Sequence, residues 1–203
     1  MEETGGIIWL DETDSTNHEV RRRISELANL SVVAALRQTA GRGQGDHTWT
    51  SAPGQNLTFT LLLTFPPCAP VASDEILRIT QVITFALRNY LENKGIETRI
   101  KWPNDIYAGE KKICGILIEN ILHGKQVSAS IIGIGLNLNQ TCFPSDLPNP
   151  VSLKMLTGQD YNLREELTQL RDELKKSAAL LDTQEGRMRL EEDFRSVLFR
   201  RED

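Results

Sequence analysis

The chain has 203 residues, 39% of them hydrophobic and 25% charged, which fits one well-buried globular domain and is short for two. Its formal net charge of −5 argues against a non-specific nucleic-acid binder, which needs a basic face, although local basicity can sit within an acidic whole. The acidic start Met-Glu-Glu-Thr-Gly-Gly lacks the apolar stretch of a signal peptide, and Leu57 to Ala72 is too broken by threonine and proline to span a bilayer.

Ile7 to Leu10 predicts a short strand. Asp14-Ser15-Thr16-Asn17 then supplies capping side chains for a helix on which Val20, Ile24 and Leu27 recur at helical spacing. Short hydroxyl and amide side chains at a helix start either cap it or bind a small polar head group. The apolar run Val32 to Leu36 is a second strand. It feeds Arg-Gln-Thr-Ala-Gly-Arg-Gly-Gln-Gly-Asp-His-Thr-Trp-Thr-Ser (37–51), whose glycines favour a backbone that can wrap a ligand. The Gly-Lys-Ser/Thr of a Walker loop is missing.

Asn56 to Phe65 alternates as a strand, and Pro-Pro-Cys-Ala-Pro reads as a surface connection. Ser73-Asp74 caps a long amphipathic helix carrying Ile76, Ile79, Ile83, Leu87 and Leu91, with Gly95 placed to end it. Lys101 to Glu119 reads as a strand, a polar turn at Ala-Gly-Glu-Lys-Lys and a second strand opened by Lys112. A lysine mounted on a strand, with the bare backbone of Gly115 three residues on, suits an anionic ligand. Glu97 to Trp102, Ile113 to Glu119 and Val127 to Asn139 predict a meander. In the last of these, Gly133 and Gly135 leave one face free of side chains, where a flat ligand could lie. Gln140 to Pro150 is a surface loop able to order over a ligand, and two packing helices follow, one through Leu163, Leu167, Leu170 and Leu174 and one from about Gln184.

Cys68, Cys114 and Cys142 cannot all pair within one chain and have no zinc spacing, so a reducing compartment, the cytoplasm, is expected. Cys114 sits in an apolar strand and reads as a small buried hydrophobe. Basic residues gather in the chemically suggestive segments: Arg37, Arg42, Arg99, Lys101, Lys111 and Lys112.

Three motifs together, Asp-Ser-Thr-Asn (14–17), the Gly-Arg-Gly loop with its tryptophan (41–49) and Lys-Trp-Pro-Asn-Asp (101–105) followed by Lys-Ile-Cys-Gly-Ile-Leu-Ile-Glu (112–119), resemble the biotin protein ligase family. The resemblance runs in order from Ile8 to about Thr157. It implies an α+β domain, a mixed sheet flanked by helices, like the class II aminoacyl-tRNA synthetases. It also implies a two-step reaction, in which biotin and ATP give biotinyl-5′-AMP and a lysine of a biotin carboxyl carrier protein then takes the biotinyl group. By the same resemblance biotin is bound by Ser15, Thr16, Asn17, Gln38, Gly41, Arg42, Gly43, Gln44, Lys112 and Gly115. The nucleotide falls to Arg42, Trp49, Asn104, Lys112 and Asn137, with Lys112 and Arg42 catalytic, Mg²⁺ on the phosphates and Asp105 as a weak metal or orienting residue. Gln44, Asp46 and His47 depart from the arginine-rich loop usual in the family, which bears on how firmly the adenylate is held.

The resemblance further leads to expecting a single catalytic domain over 1–203, without the N-terminal helix-turn-helix or the C-terminal small barrel of some members, and so no DNA and no membrane partner. Two other readings stand beside it: a lipoate or octanoate ligase or transferase of the same fold, and a non-catalytic biotin sensor.

Overall fold

Ile7–Thr13 forms strand β1, Thr16–Arg22 helix α1 and Val32–Gln38 strand β2, and β1 and β2 pair in parallel across that helical crossover. These elements belong to a computed structural model that describes residues 5–65 and 71–198; the Pro-Pro-Cys-Ala-Pro connection with Cys68, and residues 199–203, lie outside the described residues. α1 stops at Arg22, short of the expected Ile24 and Leu27. Both still pack against the small apolar cluster of Val20, Val33, Leu62, Ala129 and Ile131, so their spacing records a shared buried face rather than a continued helix.

Leu57–Thr64 is β3, Val71–Ala72 β4 and, after a 3₁₀ turn at Ser73–Glu75, Ile76–Glu92 is α2. Gly95, at φ 77°, sits in the left-handed turn that ends this segment, as the sequence predicts. Arg99–Lys101 is β5, Asp105–Ala108 β6, Lys111–His123 β7 and Gln126–Leu136 β8. Leu153–Thr157, Leu163–Ala179 and Gln184–Ser196 are α3, α4 and α5, capped by the side chains of Ser152, Asn162 and Thr183. The sheet order is β1-β2-β3-β8-β7-β6-β5, with β4 also on β8.

The expected meander needs one correction. Asp105–Ala108 is a strand of its own, so β5 pairs with β6 and only β6 meets β7. The polar turn shrinks to Gly109-Glu110, with Gly109 at φ 59°. Between β6 and β7 the register slips: Ile106 faces Cys114 but Tyr107 faces Lys112, leaving Ile113 as the extra residue of a bulge. Ile113 and Cys114 can therefore both be buried in the core, while Lys112 emerges on the same face as Gly115.

Helices α2, α4 and α5 cover one face of the sheet and bury Leu57, Phe59, Leu61 and Leu63 against Ile79, Ile83, Leu87, Leu167, Leu170 and Leu190. Each such side chain contributes about 1.5–3 kcal/mol on burial. α1 covers part of the other face, so β3 is buried on both sides and reads as an apolar run more than as an alternation. Beside α1, this second face carries Thr58 and Thr60 of β3, Gly133 and Gly135 of β8, and Gly115, Leu117 and Glu119 of β7.

Candidate active site

Strand register assembles the floor of the site. Thr58, Gly135, Gly115 and Asp105 lie side by side across β3, β8, β7 and β6, and Thr60, Gly133 and Leu117 form the next row. Over this floor opens a cavity of about 460 Å³. Ser15, Thr16, Asn17 and Gln38 line one end; Arg42, Gly43 and Gln44 come from the loop above; Trp49, Asn104, Asp105, Lys112, Gly115 and Asn137 line the rest. Of the residues assigned in the sequence to biotin, nucleotide, catalysis or metal, Gly41 alone is not on the cavity wall. It lies at the base of the loop, where a Cβ would stand 2.3 Å from the carbonyl oxygen of Trp49.

The α1 end is polar and buried. Ser15, Thr16 and Asn17 are each at most 3% exposed, and Ser15 makes no side-chain cap bond, so the triad does not serve as a simple cap. Gln38 Oε1 accepts from the backbone N–H of Thr16 at 2.8 Å and from its hydroxyl at 3.1 Å. Thr60 Oγ1 donates to Asn17 Oδ1 at 2.6 Å, and Asn17 Nδ2 donates to Glu119 at 2.9 Å. A Cβ on Gly133 would stand 2.3 Å from Asn17 Oδ1, so only glycine lets that amide lie on the strand.

The glycine loop folds back on itself. Trp49 N–H donates to Gly41 O, Gly43 N–H to His47 O, and Arg42 bridges Thr48, with Gly45 at φ 62° near the tip. Trp49 is thereby laid over the floor, where Cβ atoms on Gly135 and Gly115 would meet its indole at 2.1 and 2.9 Å. The side-chain-free strip expected to receive a flat ligand is thus occupied by the protein's own Asn17 and Trp49. Trp49 Nε1 is buried without a hydrogen-bond partner.

Three cations line the cavity: Lys101, whose Nζ lies 5.5 Å from the centroid of the Tyr107 ring, and Lys112 and Arg42, each paired with a carboxylate. Lys112 Nζ lies 2.6 Å from Asp105 Oδ1 and 5.8 Å from the centroid of Trp49. The Lys112 backbone is tied to the 149–151 segment through Asn149 O and Val151 N–H. Arg42 Nη1 donates to Glu119 Oε1 at 3.1 Å and to His18 Nε2 at 3.3 Å. An arginine only donates, so His18 accepts there and its Nδ1–H faces Asp14 at 3.3 Å. Burial works against the Glu119 carboxylate, but hydrogen bonds from Asn17 and Arg42 and the charges of Arg42 and Arg21 hold its pKa below the ordinary value. Asp14, gripped by Arg22 and the Ser15 N–H, is held well below its own.

Asn137, expected on the nucleotide, donates its side-chain N–H to Val151 O at 3.0 Å and so also secures the wall segment before α3. Phe143, Leu147, Pro148 and Pro150 of the loop line the cavity. Cys114 is fully buried, which pushes its thiol pKa up and removes it as a nucleophile. No group of three His, Cys, Asp or Glu side chains able to hold a metal occurs among the described residues. None of the described helices is long and apolar enough to cross a membrane.

Sequence reasoning missed Thr60 and Glu119 as site residues. Their only signals are a hydroxyl in an apolar strand and a carboxylate at the end of the Gly-Ile-Leu-Ile run.

The model of the biotin/lipoate A/B protein ligase family matches residues 9–137, which spans both the polar triad and Asn137. The chain belongs to that family. Among curated ligases, it is 36% identical over 140 residues to the bifunctional ligase/repressor BirA of Bacillus subtilis, covering 69% of this chain and 41% of that protein. It is 31% identical over 179 residues to the biotin–(acetyl-CoA-carboxylase) ligase of Paracoccus denitrificans, covering 86% and 73%. The chain thus spans less than half the length of the first of these ligases and about three quarters of the second. Its fold matches a biotin protein ligase from Aquifex aeolicus in complex with biotin and ATP, with TM-score 0.78 and 28% identity over 96% of this chain and 78% of that one. The α+β ligase fold, a mixed sheet flanked by helices, is therefore the fold of this family member.

Proposed function

We propose that this chain activates biotin with ATP to biotinyl-5′-AMP and passes the biotinyl group to a lysine of a biotin carboxyl carrier protein. The observation that carries this reading is one cavity with a neutral, buried, multiply hydrogen-bonding end at Ser15, Thr16, Asn17 and Gln38, two cations at its middle, and an aromatic and amide end at Trp49, Asn104 and Asn137. A ureido ring needs both donors and acceptors at fixed places, and the first end offers both. A lipoyl or octanoyl head has no hydrogen-bonding group to match it, which favours biotin over the lipoate and octanoate readings. The matching Aquifex ligase, in complex with biotin and ATP, supports the same choice of ligands.

In the first step a carboxylate oxygen of biotin attacks the α-phosphorus of ATP, the bond to the bridging oxygen of the β-phosphate breaks, and pyrophosphate leaves. In the second, a lysine amine attacks the acyl carbon of the mixed anhydride, AMP leaves with the bonding pair, and the amine gives up a proton. In-line transfer of this kind needs positioning and charge neutralisation rather than acid–base groups. Lys112 and Arg42 share the charge of the carboxylate and α-phosphate, and Trp49 and Asn104 flank the nucleotide. Asp105 holds the Lys112 ammonium in place. With its carboxylate paired to Lys112 at 2.6 Å, Asp105 serves in this reading to orient the lysine. Mg²⁺ would enter on the nucleotide phosphates, neutralising their charge.

Incubation with biotin, ATP and a carrier domain tests the reading. Covalent biotin on the carrier lysine supports it; tight biotin binding with no AMP formed would make the chain a sensor instead.

A further inference from the structure

Glu119 is not on the cavity wall, yet it touches both halves of the proposed biotin site. One oxygen, Oε2, accepts from Asn17 Nδ2 at 2.9 Å. The other, Oε1, accepts from Arg42 Nη1 at 3.1 Å and lies 3.5 Å from Arg21 Nη2. Asn17 comes from α1, Arg42 from the glycine loop and Glu119 from β7, so a single carboxylate ties three separate elements.

The consequences differ at the two ends. The Glu119 carboxylate can only accept, so Asn17 turns its NH₂ toward Glu119 and its Oδ1 toward the Thr60 hydroxyl, and the amide is fixed in one of its two orientations. Its oxygen, lying on Gly133, is then the atom that meets a ligand N–H, and the second Nδ2 proton is left for a ligand carbonyl. At Arg42 the contacts to Glu119 and His18 both use Nη1. The guanidinium is docked by that corner, and its Nε–Nη2 edge remains for a planar oxyanion, the geometry in which arginine binds carboxylate or phosphate.

We propose that Glu119 is a positioning residue that couples head-group recognition to the placement of the glycine loop, one oxygen orienting Asn17 and the other docking Arg42. The inference rests on reading the α1 end as the biotin head-group site. It requires two acceptor oxygens. A glutamine at this position has the same shape but only one acceptor, so its NH₂ must face either Asn17 Nδ2 or Arg42 Nη1, a donor against a donor.

The test compares the wild-type chain with Glu119→Gln, Arg42→Gln and the double variant, measuring biotin affinity by calorimetry and adenylate formation in a single turnover, with the thermal midpoint of each. Glu119→Gln is expected to weaken biotin binding about tenfold and slow adenylate formation about tenfold. In the Arg42→Gln background the same change should slow adenylate formation less than twofold further, because the arm that acts through Arg42 is already gone. Wild-type affinity and rate in Glu119→Gln, or a full tenfold further loss in the double variant, would overturn the coupling. Should Glu119→Gln fail to fold, Glu119→Asp, which keeps both oxygens but withdraws them by one methylene, is held to the same criteria. A wild-type chain that binds no biotin would instead refute the functional reading on which the inference rests.

Discussion

Lys112 reaches Asp105, Nζ to Oδ1 at 2.6 Å, only because the bulge at Ile113 turns the lysine onto the site face. In a regular, unbulged strand of the same sequence, alternation would send Lys112 to the core side with Cys114, which lies fully buried. The bulge in β7 thus aims a cation at the cavity, beside the β6 carboxylate that holds it there.

Lys112→Ala is expected to slow adenylate formation about a hundredfold, corresponding to roughly 3 kcal/mol of lost stabilisation of a developing charge. It also leaves Asp105, with only 18% of its side chain exposed, without its partner. A destabilisation of about 1–3 kcal/mol follows, and Lys112→Ala with Asp105→Asn should recover most of it without recovering activity. Single-turnover rates and urea unfolding of both variants check this. A lysine variant within twofold of wild-type activity would remove Lys112 from catalysis.

The glycine floor separates the two ends of the cavity. Alanine at Gly133 places a methyl 2.3 Å from Asn17 Oδ1, whereas alanine at Gly135 places one 2.1 Å from the Trp49 indole. Gly133→Ala should therefore raise the KM for biotin about tenfold or more and Gly135→Ala that for ATP, each with a smaller effect on the other substrate. Equal effects on both substrates from both variants would dissolve the division.

Gln44 is exposed on the loop, at the cavity rim, and offers the adenylate no full charge. Gln44→Arg is expected to slow dissociation of biotinyl-AMP, because a guanidinium adds a full positive charge and a bidentate fork against the phosphate that an amide lacks. Stopped-flow release of the intermediate measures it directly, and unchanged or faster release would place retention elsewhere in the loop.

The depressed pKa of Glu119 has a definite sign in stability. A carboxylate held below its ordinary value contributes stability above that value and loses it as pH falls through the folded-state pKa. The contribution from Asn17, Arg42 and Arg21 around Glu119 should be intact from neutrality down to about pH 5 and decline below about pH 4.3. The gap in thermal midpoint between the wild-type chain and Glu119→Gln, followed over that range, should close only at the acid end. A gap that closes between pH 8 and 6 would show that another group controls it.

Much of the site was legible because its residues are short-range signals. Ser15, Thr16 and Asn17 are adjacent at a helix start, Gly41 to Trp49 is one continuous loop, and Gly133 and Gly135 announce their bare face by having no side chain. Three things were not legible. Asp105–Ala108 follows Trp-Pro-Asn and precedes Gly-Glu-Lys-Lys, so turn chemistry on both sides hides a short strand. The bulge at Ile113 follows from which partner each residue finds on β6, and a single strand cannot show this. Glu119, finally, lies 102 residues from Asn17 and 77 from Arg42. Only the sheet order, with β8 set between β3 and β7, brings the three together.

Biotin-dependent exchange of labelled pyrophosphate into ATP reads adenylate formation in the cavity without a carrier protein. Exchange is expected with biotin, about a hundredfold slower in Lys112→Ala, and none above background with lipoate or octanoate. A chain that shows no exchange with biotin, or that prefers lipoate or octanoate, is not a biotin-activating enzyme.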